Sequence, residues 1–215
     1  MTYRRIEQLG LILGSFALLH GHWLLFNGLD LSFFSLGLLM VSLFGGLIAA
    51  DFVSGTVHWF ADTFGDESWP ILGASLIRPF REHHVDPASI TRHDFIETNG
   101  SSFLLVGISW FSIYFLLRGT VDQITLGAVA PALLFLCMTN EIHKMAHLAG
   151  ESQPWHRALV RMGLVLSANA HRAHHSGKFN SHYCITTGWL NNGLERIRFF
   201  RRLECFVKRA HFQGD

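Results

Sequence analysis

Three histidines fall within five residues in the stretch "HRAHH", at His171, His174 and His175. On a helix, spacings of three and four residues place side chains on one face, so the three rings are expected to converge. A neutral imidazole offers a metal ion a nitrogen lone pair, and such i, i+3, i+4 sets let one helix face bind a metal. The pattern recurs. His143 and His147 form H-x-x-x-H, His83 and His84 stand together in "RPFREHHVDP", and His58 shares a helical face with Asp51, Gly55 and Asp62. Eight imidazoles are too many for one zinc ion and suit two metal ions; iron, copper and zinc all accept imidazole ligands. His93 is a candidate ninth ligand or a residue that orients one. The carboxylates Asp51, Asp62, Asp86, Asp94, Glu97 and Glu141 are candidates to hold imidazoles through the ring N–H, or to cap helices. His20 and His22, beside Trp23, are expected at the far membrane interface. His156, His182 and His211 fall in no pattern and are expected at the surface.

The elements that carry these residues follow from hydropathy. The 215 residues are 49% hydrophobic and 15% charged, with a mean hydropathy of +0.27. Apolar runs at about 9–26, 33–50, 101–117 and 121–139 approach the ~20 residues that a bilayer core requires. The first follows Arg4 and Arg5 like a signal peptide but lacks a small-residue cleavage site, so it is read as a retained anchor. The expected fold is all-α and integral to the membrane: four transmembrane helices with a helical cap carrying the His-rich site, as a single domain over 1–215. In that topology residues 27–32 and 118–120 lie on one side of the membrane. Of the 17 Lys and Arg, only Arg118 falls there; the other 16 accompany the histidines and both termini, which are therefore expected to be cytoplasmic. Extended to His58, the second helix would carry that ring roughly 10 Å beyond the apolar edge, to the level of the other groups. The C-terminal "LERIRFFRRLECFVKRAHF" reads as an amphipathic helix, for an anionic membrane surface or for the protein's own cap. Cys137, Cys184 and Cys205 form no CxxC and are expected to be buried packing residues. No nucleotide, haem-attachment, iron–sulfur or nucleic-acid-binding motif is visible, so a redox function would draw its electrons from another protein.

Histidine clusters on one face of four membrane helices resemble the membrane di-iron desaturases and hydroxylases. The segments "DFVSGTVHWFADTFGD", "RPFREHHVDP", "ITRHDFIETNG", "NEIHKMAH", "HRAHH" and "CITTGWLN" are similar to the Kua family of plasmanylethanolamine desaturases, over about residues 51–203. The resemblance implies a di-iron centre on His58, His83, His84, His143, His147, His171, His174 and His175, with O2 as co-substrate. It implies formation of the vinyl ether double bond of plasmalogens from a 1-O-alkyl ether phospholipid, with electrons from cytochrome b5 or a ferredoxin-like donor. The segment "RMGLVLSANAHR" is poorer in His than the family pattern implies, at Gly163 and Ala170, outside the eight. Kua-like proteins include a plastid enzyme acting on the palmitate of phosphatidylglycerol, so an acyl-lipid desaturase is an alternative. A lipid hydroxylase and a membrane metal-binding protein without catalysis are the others. Arg78, Arg81, Arg92 and Arg172 are candidates to bind a lipid phosphate or the membrane surface. The expected location is a bacterial inner membrane, or the endoplasmic reticulum in a eukaryote.

Overall fold

A computed structural model describes residues 3–29, 32–148 and 152–212, which form helices and loops with no strand among them. Four long helices, α1 (Tyr3–Asn27), α2 (Phe33–Thr63), α5 (Phe95–Leu116) and α6 (Gln123–His147), are long and apolar enough to cross a membrane. Their outer faces carry large apolar side chains that water would not tolerate. Leu19 is 68% exposed, Val41 69% and Phe115 75%, whereas a lipid environment makes such exposure neutral.

The helices outrun the apolar runs that identify them. α2 continues from the apolar end near residue 50 to Thr63, and α6 continues from 139 to His147. These extensions carry His58, His143 and His147 beyond the apolar runs while keeping them on rigid elements. Side-chain caps fix where helices begin. Asp94 accepts from the Glu97 N–H at 2.9 Å to start α5, Asp122 accepts from the Thr125 N–H at 2.9 Å to start α6, and Ser167 accepts from the Ala170 N–H at 3.2 Å to start the short helix Ala168–His175.

α1 lies against α5, α2 against α6, and α5 and α6 pack on each other. The α1–α5 seam depends on small residues. A Cβ on Gly10 would sit 2.2 Å from the Gly100 carbonyl oxygen, and one on Gly14 would sit 2.6 Å from that of Phe103. Ala17, Phe103, Val106, Trp110, Leu133 and Cys137 fill the space between α1, α5 and α6.

The cap consists of a π turn at Gly73–Ile77, then α3 (Arg78–Val85) and α4 (Ser89–Arg92), and after α6 the helices α7 (Pro154–Arg161), α8 (Ala168–His175), α9 (Asn191–Arg196) and α10 (Phe199–Phe212). Ala61, Ile77, Phe80, Ile142, Leu166 and Ile185 join the cap to the ends of α2 and α6 in a second core. Two expectations about single residues fail here. His156 is 2% exposed, with neither ring nitrogen hydrogen-bonded, because α7 turns its apolar face inward. Cys205 is exposed on α10, while Cys137 and Cys184 are buried. The His211 side chain lies outside the described residues, as do residues 1–2 and 213–215 at the expected cytoplasmic termini.

Candidate metal centre

Four elements deliver the eight imidazoles to one buried place. α2 brings His58, α3 brings His83 and His84, α6 brings His143 and His147, and α8 brings His171, His174 and His175. They divide into two groups. His83, His143, His147, His171 and His175 form one, and His58, His83, His84 and His174 the other; within each, one nitrogen per ring lies within 4.8 Å of all the rest. His83 belongs to both.

The nitrogens meet as metal ligands would. The Nε2 atom of His171 lies 2.9 Å from that of His143, 3.0 Å from that of His147 and 3.0 Å from that of His175. In the second group, the Nε2 atoms of His84 and His174 are 2.9 Å apart. With metal–nitrogen bonds of about 2.0–2.1 Å, two ligands at right angles stand about 3 Å apart. Hydrogen bonding alone does not explain the arrangement. A ring nitrogen offers one lone pair or one N–H, so no choice of tautomers lets His171 Nε2 bond to three neighbours at once. A cation among the lone pairs does satisfy it.

The outer nitrogens are fixed by backbone carbonyls. His58 Nδ1 donates to the Tyr183 carbonyl at 3.0 Å, His83 Nδ1 to that of Pro79 at 3.2 Å, and His174 Nδ1 to that of Ser181 at 2.7 Å. These bonds choose the tautomer and leave the Nε2 lone pairs facing inward. The inner atoms of His58 and His83 are buried without a hydrogen-bond partner. Burial and neighbouring imidazoles push His83, His171 and His174 well below the usual histidine range, and push His84 and His175 down to about 4. Rings kept neutral at pH 7 are rings ready to bind a metal.

Aromatic rings wall the centre. Phe80 lies 4.8 Å from the His58 ring and 6.0 Å from that of His143, and Phe179 stacks on His84 at 4.4 Å. Phe179 and His182 hold positive φ angles of 52° and 57°, in a region bulky residues rarely enter. That backbone turns the chain back after α8, so that Phe179 covers His84 and Ser181 reaches His174. Spacing rules gave no sign of Phe179, nor of the three carbonyls, because the contacts arise from loop conformation.

The carboxylates expected to hold imidazoles mostly do other work. Asp51 is fully buried on α2, but its oxygens accept the backbone N–H groups of Thr187 and Gly188 at 2.8 Å and of Leu190 at 3.1 Å. It pins the "TTGWL" strap under which the site is built. Gly55 serves the same packing, since a Cβ there would meet Cys184 Sγ at 2.6 Å. Glu141 turns away from His143 and exchanges hydrogen bonds with Asn99 of α5, each at 3.1 Å. Asp86 is a surface residue paired with Arg92 at 2.5 Å. Asp94 is gripped by both terminal nitrogens of Arg4, at 2.9 and 2.7 Å, and that contact holds its carboxyl well below the usual range. Asp62 alone reaches the imidazoles: its Oδ2 is 3.2 Å from His58 Nε2.

His93 stands outside both groups. Its carbonyl accepts from Lys144 Nζ at 2.6 Å, and its ring lies 3.7 Å from Glu97. It lines a crevice of about 30 Å³ that reaches His83 and His143 past Phe80, Thr98 and Asn140. That is room for a molecule the size of water. Among the candidate phosphate-binding cations, Arg78 and Arg172 are exposed, Arg81 donates to the Gly65 carbonyl, and Arg92 is occupied by Asp86. His20 is not at a bare interface; Trp110 Nε1 donates to its Nδ1 at 3.1 Å, and the Tyr114 ring meets it edge-on at 4.7 Å.

Comparison with known proteins agrees with this geometry. Residues 47–212 match the family model described as the lipid desaturase domain. The chain is 42% identical over 178 residues to the mouse protein named plasmanylethanolamine desaturase 1, covering 80% of this chain and 65% of that one. It is 41% identical over 175 residues to the plasmanylethanolamine desaturase of Myxococcus xanthus, covering 79% of this chain and 60% of that one. It is 33% identical over 162 residues to the chloroplastic fatty acid desaturase 4 of Arabidopsis thaliana, covering 75% of this chain and 49% of that one. The chain thus spans less than two thirds of the length of these relatives. No solved structure matches it. A buried centre of imidazoles at one end of four apolar helices, joined to a match over most of the sequence, makes this chain a member of the lipid desaturase domain family.

Proposed function

We propose that the chain is an O2-dependent lipid desaturase that forms the vinyl ether double bond of plasmalogens from 1-O-alkyl ether phospholipids. The observation that carries this reading is the pair of imidazole groups sharing His83, in a chain 42% identical to a protein of that name. In this reading His143, His147, His171 and His175 would hold one iron and His58, His84 and His174 a second, with His83 within reach of either group. With O2, two electrons and two protons, such a centre supplies the oxidising power to remove two hydrogens from adjacent, non-acidic carbons and release two waters.

The chain's own residues prepare for that chemistry. Carbonyls of Pro79, Ser181 and Tyr183 hold three rings in the metal-binding tautomer. Phe80, Phe179 and Tyr183 keep bulk water off the centre, which suppresses side reactions. The substrate's hydrocarbon chain lies among the apolar helices, and the exposed Arg78 and Arg172 meet its phosphate. The basic face that carries 16 of the 17 Lys and Arg docks an acidic electron donor, cytochrome b5 or a ferredoxin-like protein. In this reading the histidines and both termini are cytoplasmic, in a bacterial inner membrane or, in a eukaryote, the endoplasmic reticulum.

The test is lipid mass spectrometry in a plasmalogen-free host supplied with alkyl ether lipids and an electron donor. Acid-labile vinyl ethers are expected with the wild type and none with His175→Ala. Vinyl ethers from His175→Ala at the wild-type level would overturn the site assignment. A new acyl double bond instead would favour the activity named for the Arabidopsis relative, and a hydroxylated lipid would favour oxygen insertion.

A further inference from the structure

We propose that Asp62 is itself a metal ligand, completing the position held by His58, His84 and His174 and making the two metal positions chemically unequal. The proposal rests on the reading that the imidazole groups hold two metal ions.

Asp62 stands one helical turn beyond His58 on α2, with its side chain only 7% exposed. Its Oδ2 lies 3.2 Å from Nε2 of His58, 3.7 Å from that of His174 and 3.8 Å from that of His84. Neither carboxylate oxygen has a hydrogen-bond partner. Burying an unpaired carboxylate costs several kcal/mol or more, so such a group is found with a cation. Among the described residues no Lys or Arg pairs with Asp62; only the three imidazoles come within ion-pair range.

The usual role of a carboxylate near a metal-binding histidine is to accept the outer ring N–H. Here that role is taken. His58 and His174 give their Nδ1–H to the carbonyls of Tyr183 and Ser181. With Nδ1 engaged outward, it is Nε2 of each ring that faces Asp62. His58 Nε2 and the Asp62 oxygen stand 3.2 Å apart and neither has a hydrogen-bond partner, which leaves both donor atoms to a shared cation. The arrangement is that of ligands around one ion.

The ligand count agrees. Setting aside the shared His83, one group contains four imidazoles and the other three. Asp62 supplies the fourth donor of the smaller group. It also brings one negative charge, so one position keeps the full dication charge and the other loses half of it. Imidazole-only and imidazole–carboxylate positions differ in affinity and in electronic structure.

The purified full chain in detergent, stripped of metal and titrated with Co2+, tests the assignment through metal stoichiometry and the visible d–d absorption of each ion. Wild type is expected to bind two ions with distinguishable spectra. Asp62→Ala is expected to fill one position normally and to bind the second more than about 100-fold more weakly with a changed spectrum, beyond the roughly 10–100-fold that loss of an outer hydrogen-bond partner costs. Asp62→Glu, which restores a carboxylate, is expected to recover the second ion. An unchanged second spectrum in Asp62→Ala would overturn the proposal while leaving the two-metal reading intact. Wild type that binds fewer than two ions would overturn both. Should Asp62→Ala fail to fold, the Mössbauer spectrum of wild type loaded with 57Fe decides: two inequivalent iron sites support the assignment, and identical sites overturn it.

Discussion

His83 holds a position that no other imidazole shares, because its ring belongs to both groups. Removing it should disturb both metal positions, whereas His93 touches neither group and lines only the crevice beside them. His83→Ala is therefore expected to lower the metal content of both positions, and His93→Ala to leave both filled. Elemental analysis of the purified variants checks this; a metal-depleted His93→Ala would mean that His93 is a ligand. The residue scale also shows why carboxylates near histidines are poor guides when read from sequence. Asp51, Asp86, Asp94 and Glu141 each find a nearer partner, in backbone N–H groups, Arg92, Arg4 and Asn99 respectively.

At the scale of elements, the decisive piece is an irregular one. The segment 183–190 crosses the ends of α2 and α6 without helical structure, so its buried backbone groups need side-chain partners. Asp51 supplies three, Asn191 binds both the N–H and the carbonyl of Cys184 at 2.9 Å, and Thr186 meets Thr139 of α6 at 2.9 Å. The Tyr183 carbonyl that orients His58 belongs to this strap. Asp51→Ala strands three N–H donors at about 1–3 kcal/mol each, so a destabilisation of roughly 3 kcal/mol or more is expected. Asp51→Asn, which keeps one acceptor oxygen, should lose less. Thermal unfolding of the metal-free protein in detergent measures both; equal midpoints for wild type and Asp51→Ala would show that the strap does not depend on this carboxylate.

For the whole molecule, the question is which way it faces. The segregation of 16 of 17 Lys and Arg onto the histidine side argues for a cytoplasmic centre. Helix α10 lies on that side, with exposed Phe206 and a run of Arg and Lys, suited to an anionic bilayer surface. Cys205 on α10 is exposed while Cys137 and Cys184 are buried, so a membrane-impermeant maleimide reports on Cys205 alone. Labelling is expected in inverted membrane vesicles and not in intact cells, with Cys205→Ser as control. The opposite pattern would reverse the topology.

Hydropathy and spacing by themselves determined the all-helical class, the four long apolar helices and the pairing of imidazoles on single helix faces. These are local properties: about 20 apolar residues can satisfy their backbone in a membrane only as a helix or a closed barrel, and helical period is written in the order of residues. What only the tertiary structure decided depends on contacts between distant segments. It divided the eight rings into two groups around His83, turned Asp51 to the strap and Asp62 to the imidazoles, buried His156, and folded the loop after α8 so that Phe179 covers His84. Asp51 and Asp62 occupy the same face of the same helix, and the sequence treats them alike. They part because one meets backbone donors of a loop about 136 residues away and the other, already beside His58 one turn back, meets the ring nitrogens of His84 and His174, and only packing brings those distant partners within reach.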